Sequence, residues 1–267
     1  MPNVLQIGPL VLPTSLLFML IAVTAAAFIG RWFGRRVGVD VEPILFQAFV
    51  VGVVVARLAF VLQYSTAYQA SPLAVFDIRD GGWRPLAGFL AAWLYVLARL
   101  FKKPILRKPL LAAVVTGTMI WGGGIFSLSL PSDEQKLPTL TLVSLQGDTV
   151  DLAQFEGKPT VVNLWATWCP PCVREMPVLH EAQAANPAVN FVFINQGESA
   201  QRVGPWLAAR NLSLRNVLLD TRGEALNVFN QRGLPTTLFF DAKGRLVSTR
   251  TGELSAASLT EKLDAIK

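Results

Sequence analysis

The stretch that decides the fold is Thr160-Val161-Val162-Asn163-Leu164-Trp165-Ala166-Thr167-Trp168-Cys169-Pro170-Pro171-Cys172. Its apolar run over residues 160–166 predicts a buried strand, and Pro170 suits the first turn of a following helix. Cys169 and Cys172 are the two cysteines of the chain, and they lie at this strand-to-helix turn. Because a helix N-terminus favours the thiolate of the first sulfur, the pattern predicts a redox-active dithiol.

Two other roles for the cysteine pair are a zinc site and a purely structural disulfide. A zinc site takes roughly four Cys, His or carboxylate ligands, whereas the chain has no third cysteine and one histidine, His180. A bridge over so short a loop constrains the unfolded chain little. Dithiol–disulfide exchange is therefore the favoured interpretation, and we expect no metal, nucleotide or haem cofactor.

The first half of the chain is basic and strongly apolar. Residues 1–130 carry 11 Lys/Arg against 4 Asp/Glu, whereas residues 131–267 carry 13 against 14. Four stretches approach the ~20 apolar residues that a bilayer-spanning helix needs. They are Leu10–Gly30, Ile44–Tyr64, Pro85–Phe101 and Leu110–Leu130. We therefore predict an all-α domain of about four transmembrane spans over residues 1–130, anchored in a bacterial inner membrane.

The basic residues of the loops predict the orientation of these spans. The first loop carries three arginines, the third carries five lysines and arginines, and the second carries two arginines offset by Asp77 and Asp80. By the positive-inside rule the first and third loops are cytoplasmic, so both termini lie in the periplasm, where disulfides form. Since each basic cluster adjoins an apolar span, we expect no nucleic-acid partner.

The second half predicts a polar, proline-bounded linker over residues 131–136 and a globular domain over residues 137–267. Short apolar runs predict strands at Leu140–Leu145, Thr149–Leu152, Pro159–Ala166, Val189–Asn195, Val217–Asp220, Thr236–Asp241 and Arg245–Gly252. Helical patterns lie at Pro170–Ala185, Ala200–Arg210, Glu224–Phe229 and Ser255–Lys267. This order of elements predicts an α/β fold with one mixed central sheet flanked by helices.

Four motifs of this domain carry a resemblance to a known family. They are Val162-Asn163-Leu164-Trp165-Ala166-Thr167-Trp168-Cys169-Pro170-Pro171-Cys172, Asn195-Gln196-Gly197-Glu198-Ser199, Gly233-Leu234-Pro235-Thr236-Thr237 and Asp241-Ala242-Lys243-Gly244. In these motifs and their order, residues 137–267 resemble the thioredoxin-like domain of the TlpA/ResA type. Proteins of that type are membrane-tethered disulfide reductases of bacterial envelopes.

Position and resemblance together assign roles to the residues around the dithiol. Cys169, at the helix start, is the expected nucleophile, and Cys172, one helical turn further on, is the expected resolving thiol. The resemblance implies that Pro235 is a cis-proline facing the dithiol, and a plain turn proline is the alternative. Trp168 and Leu234 are expected to contact the substrate, with ordinary packing as the alternative for Trp168.

A buried acid is a further expectation from the resemblance. Many thioredoxins carry a buried aspartate six residues before the first cysteine, but this position holds Asn163, which does not titrate. The resemblance points instead to Glu198, as a carboxyl that exchanges protons with Cys172. The alternative is an exposed glutamate stabilised by a helix dipole. In the first role, Glu198→Gln should shift the pH profile of thiol exchange without unfolding the domain.

The membrane half has a second, partial resemblance. Three of its segments are similar to the opening spans of prolipoprotein diacylglyceryl transferase, namely Ile7-Gly8-Pro9, Arg57-Leu58-Ala59-Phe60-Val61-Leu62 and Asp80-Gly81-Gly82-Trp83. The His-Gly-Gly segment of that enzyme is replaced by residues 84–88, and its Gly-Arg-x-Gly-Asn signature is missing, so we expect no lipid transfer. Arg57 lies within an apolar span, and we expect an ion pair with Asp77 or Asp80, with outward snorkelling or contact with a phospholipid head group as the alternatives.

Together these features predict a membrane-anchored periplasmic thiol:disulfide oxidoreductase that acts mainly as a disulfide reductase. Residues 1–130 contain no cysteine, so reducing equivalents must come from another protein, and the resemblance implies a DsbD-like donor. Periplasmic proteins with disulfides are the expected substrates, among them apocytochromes during cytochrome c maturation. Two rival functions stay open: a disulfide donor or isomerase of the same fold, and a non-catalytic membrane adaptor.

Overall fold

A computed structural model describes residues 4–7, 10–69, 72–129 and 135–267. Contacts between Cα atoms group the chain into two compact units, one of Met1–Thr66 with Gly82–Ser132 and the other of Ala67–Gly81 with Asp133–Lys267. The loop over residues 67–81 therefore groups with the second half of the chain. The predicted linker over residues 131–136 lies outside the described residues, apart from Gln135 and Lys136.

The first unit is mostly helical. Strands β1 and β2 form an antiparallel pair at Val4–Ile7 and Leu10–Pro13. Its long helices are α1 at Thr14–Arg36, α2 at Glu42–Gln63, α4 at Pro85–Lys102 and α5 at Arg107–Ser129, and the short α3 at Ser65–Tyr68 begins in this unit and ends in the second. Within the described residues, four helical segments are long and apolar enough to cross a membrane, and they coincide with α1, α2, α4 and α5.

The first of these helices begins later than predicted. We predicted a span from Leu10, but Leu10–Pro13 is a strand and the helix begins at Thr14. A proline disfavours the helical conformation of the residue before it, so Pro13 keeps Leu12 out of the helix. Apolar composition alone does not separate a short strand from the start of an apolar helix.

Helix α1 packs against α5, and α2 packs against α4. Gly52 and Gly88 allow the second pair to approach closely, because a Cβ atom at Gly88 would lie 2.4 Å from the Gly52 carbonyl oxygen. Large apolar side chains of these helices are exposed, among them Phe28, Phe46 and Leu62. Exposed apolar side chains on long apolar helices are typical of helices that face lipid.

The second unit contains one mixed sheet of seven strands among its described residues. The strands are β3 at Thr141–Ser144, β4 at Thr149–Asp151, β5 at Thr160–Trp165, β6 at Asn190–Gln196, β7 at Val217–Asp220, β8 at Thr236–Phe240 and β9 at Leu246–Thr251. The helices are α6 at Pro170–Ala185, α7 at Ala200–Ala208, α8 at Ala225–Val228 and α9 at Ala256–Asp264. All eleven elements lie close to their predicted positions.

The sheet has the order β4-β3-β7-β6-β5-β8-β9, in which β5, β6 and β7 run parallel and the other pairs are antiparallel. Strand β5 is buried along its whole length. Its residues Val161 and Trp165 belong to one core cluster, and Val162 and Leu164 belong to the cluster on the opposite face. The predicted thioredoxin-like fold is confirmed, and its central strand firmly positions the turn that carries the cysteines.

Candidate active site

The cysteine turn joins the end of β5 to the start of α6. Cys169 is the N-cap residue of α6, and its Sγ accepts a hydrogen bond from the Cys172 backbone N–H at 3.3 Å. The two cysteines form a disulfide with a Cα–Cα distance of 5.3 Å. Cys172 is completely buried, whereas 4% of Cys169 is exposed. Cys169 is thus the more exposed cysteine and the one at the helix N-terminus, which suits an attacking thiolate.

The proline turn precedes β8, which pairs with β5. The Leu234–Pro235 peptide bond is cis, as predicted, and the Gly252 N–H donates a hydrogen bond to the Pro235 carbonyl at 2.9 Å. Leu234 is partly buried and packs against the core cluster that contains both cysteines. Trp168 is 61% exposed and is therefore not a core residue. Contact of Trp168 and Leu234 with a substrate stays a prediction.

Glu198 is buried beside the cysteine turn rather than exposed. Its carboxylate accepts hydrogen bonds from the Thr167 N–H at 2.7 Å and from the Asn195 amide at 2.8 Å, and it forms an ion pair with Arg202 at 2.8 Å. Burial alone would raise the pKa of Glu198, but the hydrogen bonds from Thr167, Asn195 and Arg202 together lower this pKa below its ordinary value. Glu198 is held as an anion that anchors the turn, and its proton exchange with Cys172 stays a prediction.

Among the described residues, the acid with a raised pKa is Glu175, which was not among the residues predicted from the sequence. Glu175 lies one turn after Cys172 on α6 and is completely buried. Its carboxyl accepts hydrogen bonds from the Asn163 side-chain amide at 2.8 Å and from the Leu254 N–H at 3.0 Å. Burial raises the pKa of Glu175 to about 8, and the two hydrogen bonds oppose the shift only in part. This carboxyl therefore binds and releases a proton near neutral pH.

The sequence does contain a signal for Glu175. Cys172, Glu175, Met176 and Leu179 have the i, i+3, i+4, i+7 spacing of one buried helix face, and all four are buried. A carboxyl on such a face is costly unless it is protonated or hydrogen-bonded. Asn163 supplies that hydrogen bond and also donates to the Thr237 hydroxyl at 2.9 Å. Asn163 occupies the strand position that carries an acid in many thioredoxins, and here it donates a hydrogen bond to an acid on the helix, Glu175.

Arg57 is buried in α2 of the first unit. Its guanidinium donates a hydrogen bond to the Gly82 carbonyl at 2.8 Å, and its Cζ lies 6.0 Å from the Phe60 ring centroid and 5.8 Å from that of Trp83. These contacts give the buried cation a polar partner and two aromatic faces. An ion pair of Arg57 with Asp77 or Asp80 stays a prediction.

A disulfide at a helix N-terminus, on a thioredoxin-like sheet and beside a buried acid, defines the class of thiol-disulfide oxidoreductases. Family models match both halves of the chain. The model described as Redoxin matches residues 132–264, and the model for prolipoprotein diacylglyceryl transferase matches residues 2–126. The predicted resemblance of each half is thus confirmed.

Individual proteins match the redox half. One of them is a solved structure, that of a secreted disulfide oxidoreductase of Mycobacterium tuberculosis, which is 32% identical to this chain. The match covers 48% of this chain and 96% of that protein, with a TM-score of 0.43. The thioredoxin-like protein YneN of Bacillus subtilis is 31% identical over 136 residues, which are 49% of this chain and 78% of the relative. ResA, a thiol-disulfide oxidoreductase of Geobacillus kaustophilus, is 30% identical over 132 residues, which are 49% of this chain and 75% of ResA. The chain belongs to the ResA family of thiol-disulfide oxidoreductases.

Proposed function

We propose that this protein is a membrane-anchored periplasmic oxidoreductase that mainly reduces disulfides through Cys169 and Cys172. The observation that carries the proposal is the Cys169–Cys172 disulfide at the N-terminus of α6, with Cys169 as the more exposed residue of the pair. The partial positive charge of a helix N-terminus stabilises a thiolate there, so a reduced Cys169 is activated as a nucleophile.

The reaction is a two-step exchange. The Cys169 thiolate attacks one sulfur of a client disulfide, so that a mixed disulfide forms and the other client sulfur leaves as a thiolate. Cys172 then loses its proton and attacks Cys169, and the first client sulfur leaves as a second thiolate. The client gains two electrons, and the Cys169–Cys172 pair loses two and closes to the disulfide. A further two-electron donor must reopen it.

Glu175 is the group we assign to the proton of Cys172. The two residues lie three positions apart on α6 and therefore on the same helix face, and both are buried. With its pKa raised to about 8 by burial, Glu175 releases its own proton near neutral pH at little cost, and the carboxylate so formed takes the proton of Cys172. Glu198, with its lowered pKa, instead fixes the Thr167 backbone ahead of Cys169.

The electrons are proposed to come from a separate protein. The chain has no cysteine in residues 1–130, so these helices do not carry electrons across a bilayer by thiol exchange. A DsbD-like membrane thiol reductase is the donor we propose, and periplasmic proteins with disulfides, such as apocytochromes, are the proposed clients. The helices α1, α2, α4 and α5 serve as the anchor in the inner membrane, with both termini in the periplasm.

Trapping of the mixed disulfide tests this function. In Cys172→Ser the resolving thiol is absent, so clients should accumulate as disulfide-linked adducts of Cys169 that a reductant releases. The Cys169→Ser, Cys172→Ser double variant is the matched control and should form none. An absence of adducts in Cys172→Ser, together with normal cellular function of the double variant, would favour the membrane adaptor.

A further inference from the structure

The loop between α2 and α4 carries a buried carboxylate that belongs to the same compact unit as the redox domain. Asp80 is 5% exposed. Its Oδ2 accepts hydrogen bonds from the Tyr68 hydroxyl at 3.1 Å and from the Ser255 hydroxyl at 3.2 Å. Ser255 is the N-cap residue of α9. The loop carboxylate is thus tied to the first turn of the last helix of the redox domain.

Arg250 of β9 places a positive charge beside the loop segment of Asp80 and Gly81. If Gly81 had a Cβ atom, it would lie 2.2 Å from Nη1 and 2.5 Å from Cζ of Arg250. The guanidinium therefore lies directly against the Gly81 backbone. Any other residue at this position would clash with Arg250 and would also be strained, because φ is +70°. Only a glycine next to Asp80 lets the guanidinium lie this close to the loop.

Arg250 interacts electrostatically with two carboxyl groups, Asp80 of the loop and Glu175 behind the dithiol. Its partial burial lowers the pKa of Arg250, and both carboxyl groups oppose this shift. Strand β9 lies beside β8, and Arg250 is the register partner of Thr237, whose hydroxyl accepts the Asn163 hydrogen bond. Arg250 therefore interacts with both the carboxylate of the loop and the hydrogen-bonded acid of the site.

The other charged groups near Glu175 are few among the described residues. Glu253, in the turn before α9, raises the pKa of Glu175, and Arg250 lowers it. Glu253 is itself paired with Arg174 of α6 at 2.7 Å, which partly offsets its charge. Cys172 lies on the same face of α6 and adds a negative charge only as a thiolate. Arg250 is thus a cation that acts on Glu175, and Asp80 is a second carboxyl group that acts on Arg250.

We propose that Asp80 is a positioning residue for the redox site, which holds the Arg250 guanidinium and thereby limits how strongly that positive charge acts on the Glu175 carboxyl. The inference rests on the proposed function, because Glu175 matters through the proton of Cys172. A loop of the membrane half would in this way set the protonation of the acid in the redox half.

The sign of the effect distinguishes it from a general structural role. Without the Asp80 charge, Arg250 acts on Glu175 with its full charge and the ionised carboxyl is favoured, so the pKa of Glu175 should fall. Without the Arg250 charge, the pKa of Glu175 should rise. Each shift should be on the order of one pKa unit, the size expected for one charge acting across partly buried protein.

The test is a titration of Glu175 in the full-length, oxidised protein in detergent. The infrared band of the protonated carboxyl is followed against pH and is assigned by its loss in Glu175→Gln. Asp80→Asn removes the negative charge and keeps an oxygen that can accept from Tyr68 and Ser255. We expect the pKa of Glu175 to be lower in Asp80→Asn and higher in Arg250→Gln than in the wild type. In the double variant the pKa of Glu175 should equal that in Arg250→Gln alone.

Asp264→Asn, which removes an exposed charge at the end of α9, is the matched control and should leave the titration unchanged. Asp80→Ser serves as the second variant, should Asp80→Asn fail to fold. An unchanged pKa of Glu175 in a folded Asp80 variant, or shifts of the same sign in the Asp80 and Arg250 variants, would overturn the inference. Because this titration involves no thiol reaction, its outcome is independent of whether Cys169 proves reactive toward disulfides.

Discussion

Two buried glutamates near the cysteine turn differ in the number and kind of their hydrogen-bond donors. Glu198 receives the Thr167 N–H, the Asn195 amide and the Arg202 cation, so its anion is stabilised despite burial. Glu175 receives only neutral donors, from Asn163 and Leu254, and it is completely buried. The first residue therefore anchors the backbone, and the second holds an exchangeable proton next to the resolving cysteine.

Replacing Glu175 by glutamine should change how the stability of the oxidised redox domain depends on pH. The folded carboxyl keeps its proton up to a pKa of about 8, whereas the unfolded chain loses it near the ordinary value of 4.5. Between these values the folded state binds more protons, so this group makes the free energy of unfolding fall by about 1.4 kcal/mol per pH unit as pH rises. Chemical unfolding at a series of pH values should show this contribution in the wild type and not in Glu175→Gln.

Glu198→Gln is the matched control for that experiment. The pKa of Glu198 is lowered, so its carboxyl is ionised in both folded and unfolded states from about one pH unit above 4.5 upwards and contributes no slope there. The substitution should cost about 1–3 kcal/mol at neutral pH, because Arg202 and the Thr167 N–H lose their anionic partner. A slope that persists in Glu175→Gln, or disappears in Glu198→Gln, would contradict the assignment.

At the scale of elements, the sheet of the redox half follows from local patterns, since each strand is a short apolar run bounded by turn residues. The same holds for the cysteine turn and for Pro235, whose motifs are contiguous in sequence. Glu175 was not found, because only tertiary contacts with Asn163 and Leu254 make a buried glutamate on a helix acceptable. The contact of Asp80 with Ser255 joins residues 175 positions apart, and no pattern along the chain encodes it.

The close contact between α2 and α4 makes a further prediction. A Cβ at Gly88 would lie 2.4 Å from the Gly52 carbonyl oxygen and 2.8 Å from the Ala56 Cβ, so Gly88→Leu must separate the two helices. Overpacking of this kind costs about 1–3 kcal/mol or more. We expect a lower unfolding temperature for the full-length protein in detergent.

Gly122→Leu on α5 is the matched control for Gly88→Leu, because a Cβ at Gly122 meets no atom within 4 Å. The two variants add the same side chain to a predicted span and differ in the space around it. An equal loss of stability in both, or no loss in Gly88→Leu, would show that the contact between α2 and α4 does not limit stability.

At the scale of the whole molecule, an apolar four-helix unit and a thiol-disulfide oxidoreductase domain share one chain. The distribution of basic residues predicts which side of the membrane each loop faces. The loop between α1 and α2 and the loop between α2 and α4 should therefore lie on opposite sides. This orientation decides whether the dithiol works in an oxidising or a reducing compartment.

Single cysteines in a variant lacking Cys169 and Cys172 test the orientation. Val37 and Leu73 are both exposed, the first in the loop after α1 and the second in the loop before α4. A membrane-impermeant maleimide added to intact spheroplasts should label Leu73→Cys, and it should label Val37→Cys only after the membrane is permeabilised. The reverse labelling pattern would place the redox domain in the cytoplasm.

The reduction potential of the Cys169–Cys172 pair in the full-length protein tests the central claim most directly. Equilibration with dithiol buffers of graded ratio, followed by alkylation of free thiols, gives the fraction of reduced protein at each potential. A disulfide reductase requires a value near the roughly −270 mV of thioredoxin. A value near the roughly −120 mV of a strong oxidant would contradict the proposed direction, and a pair that never opens would contradict the whole account.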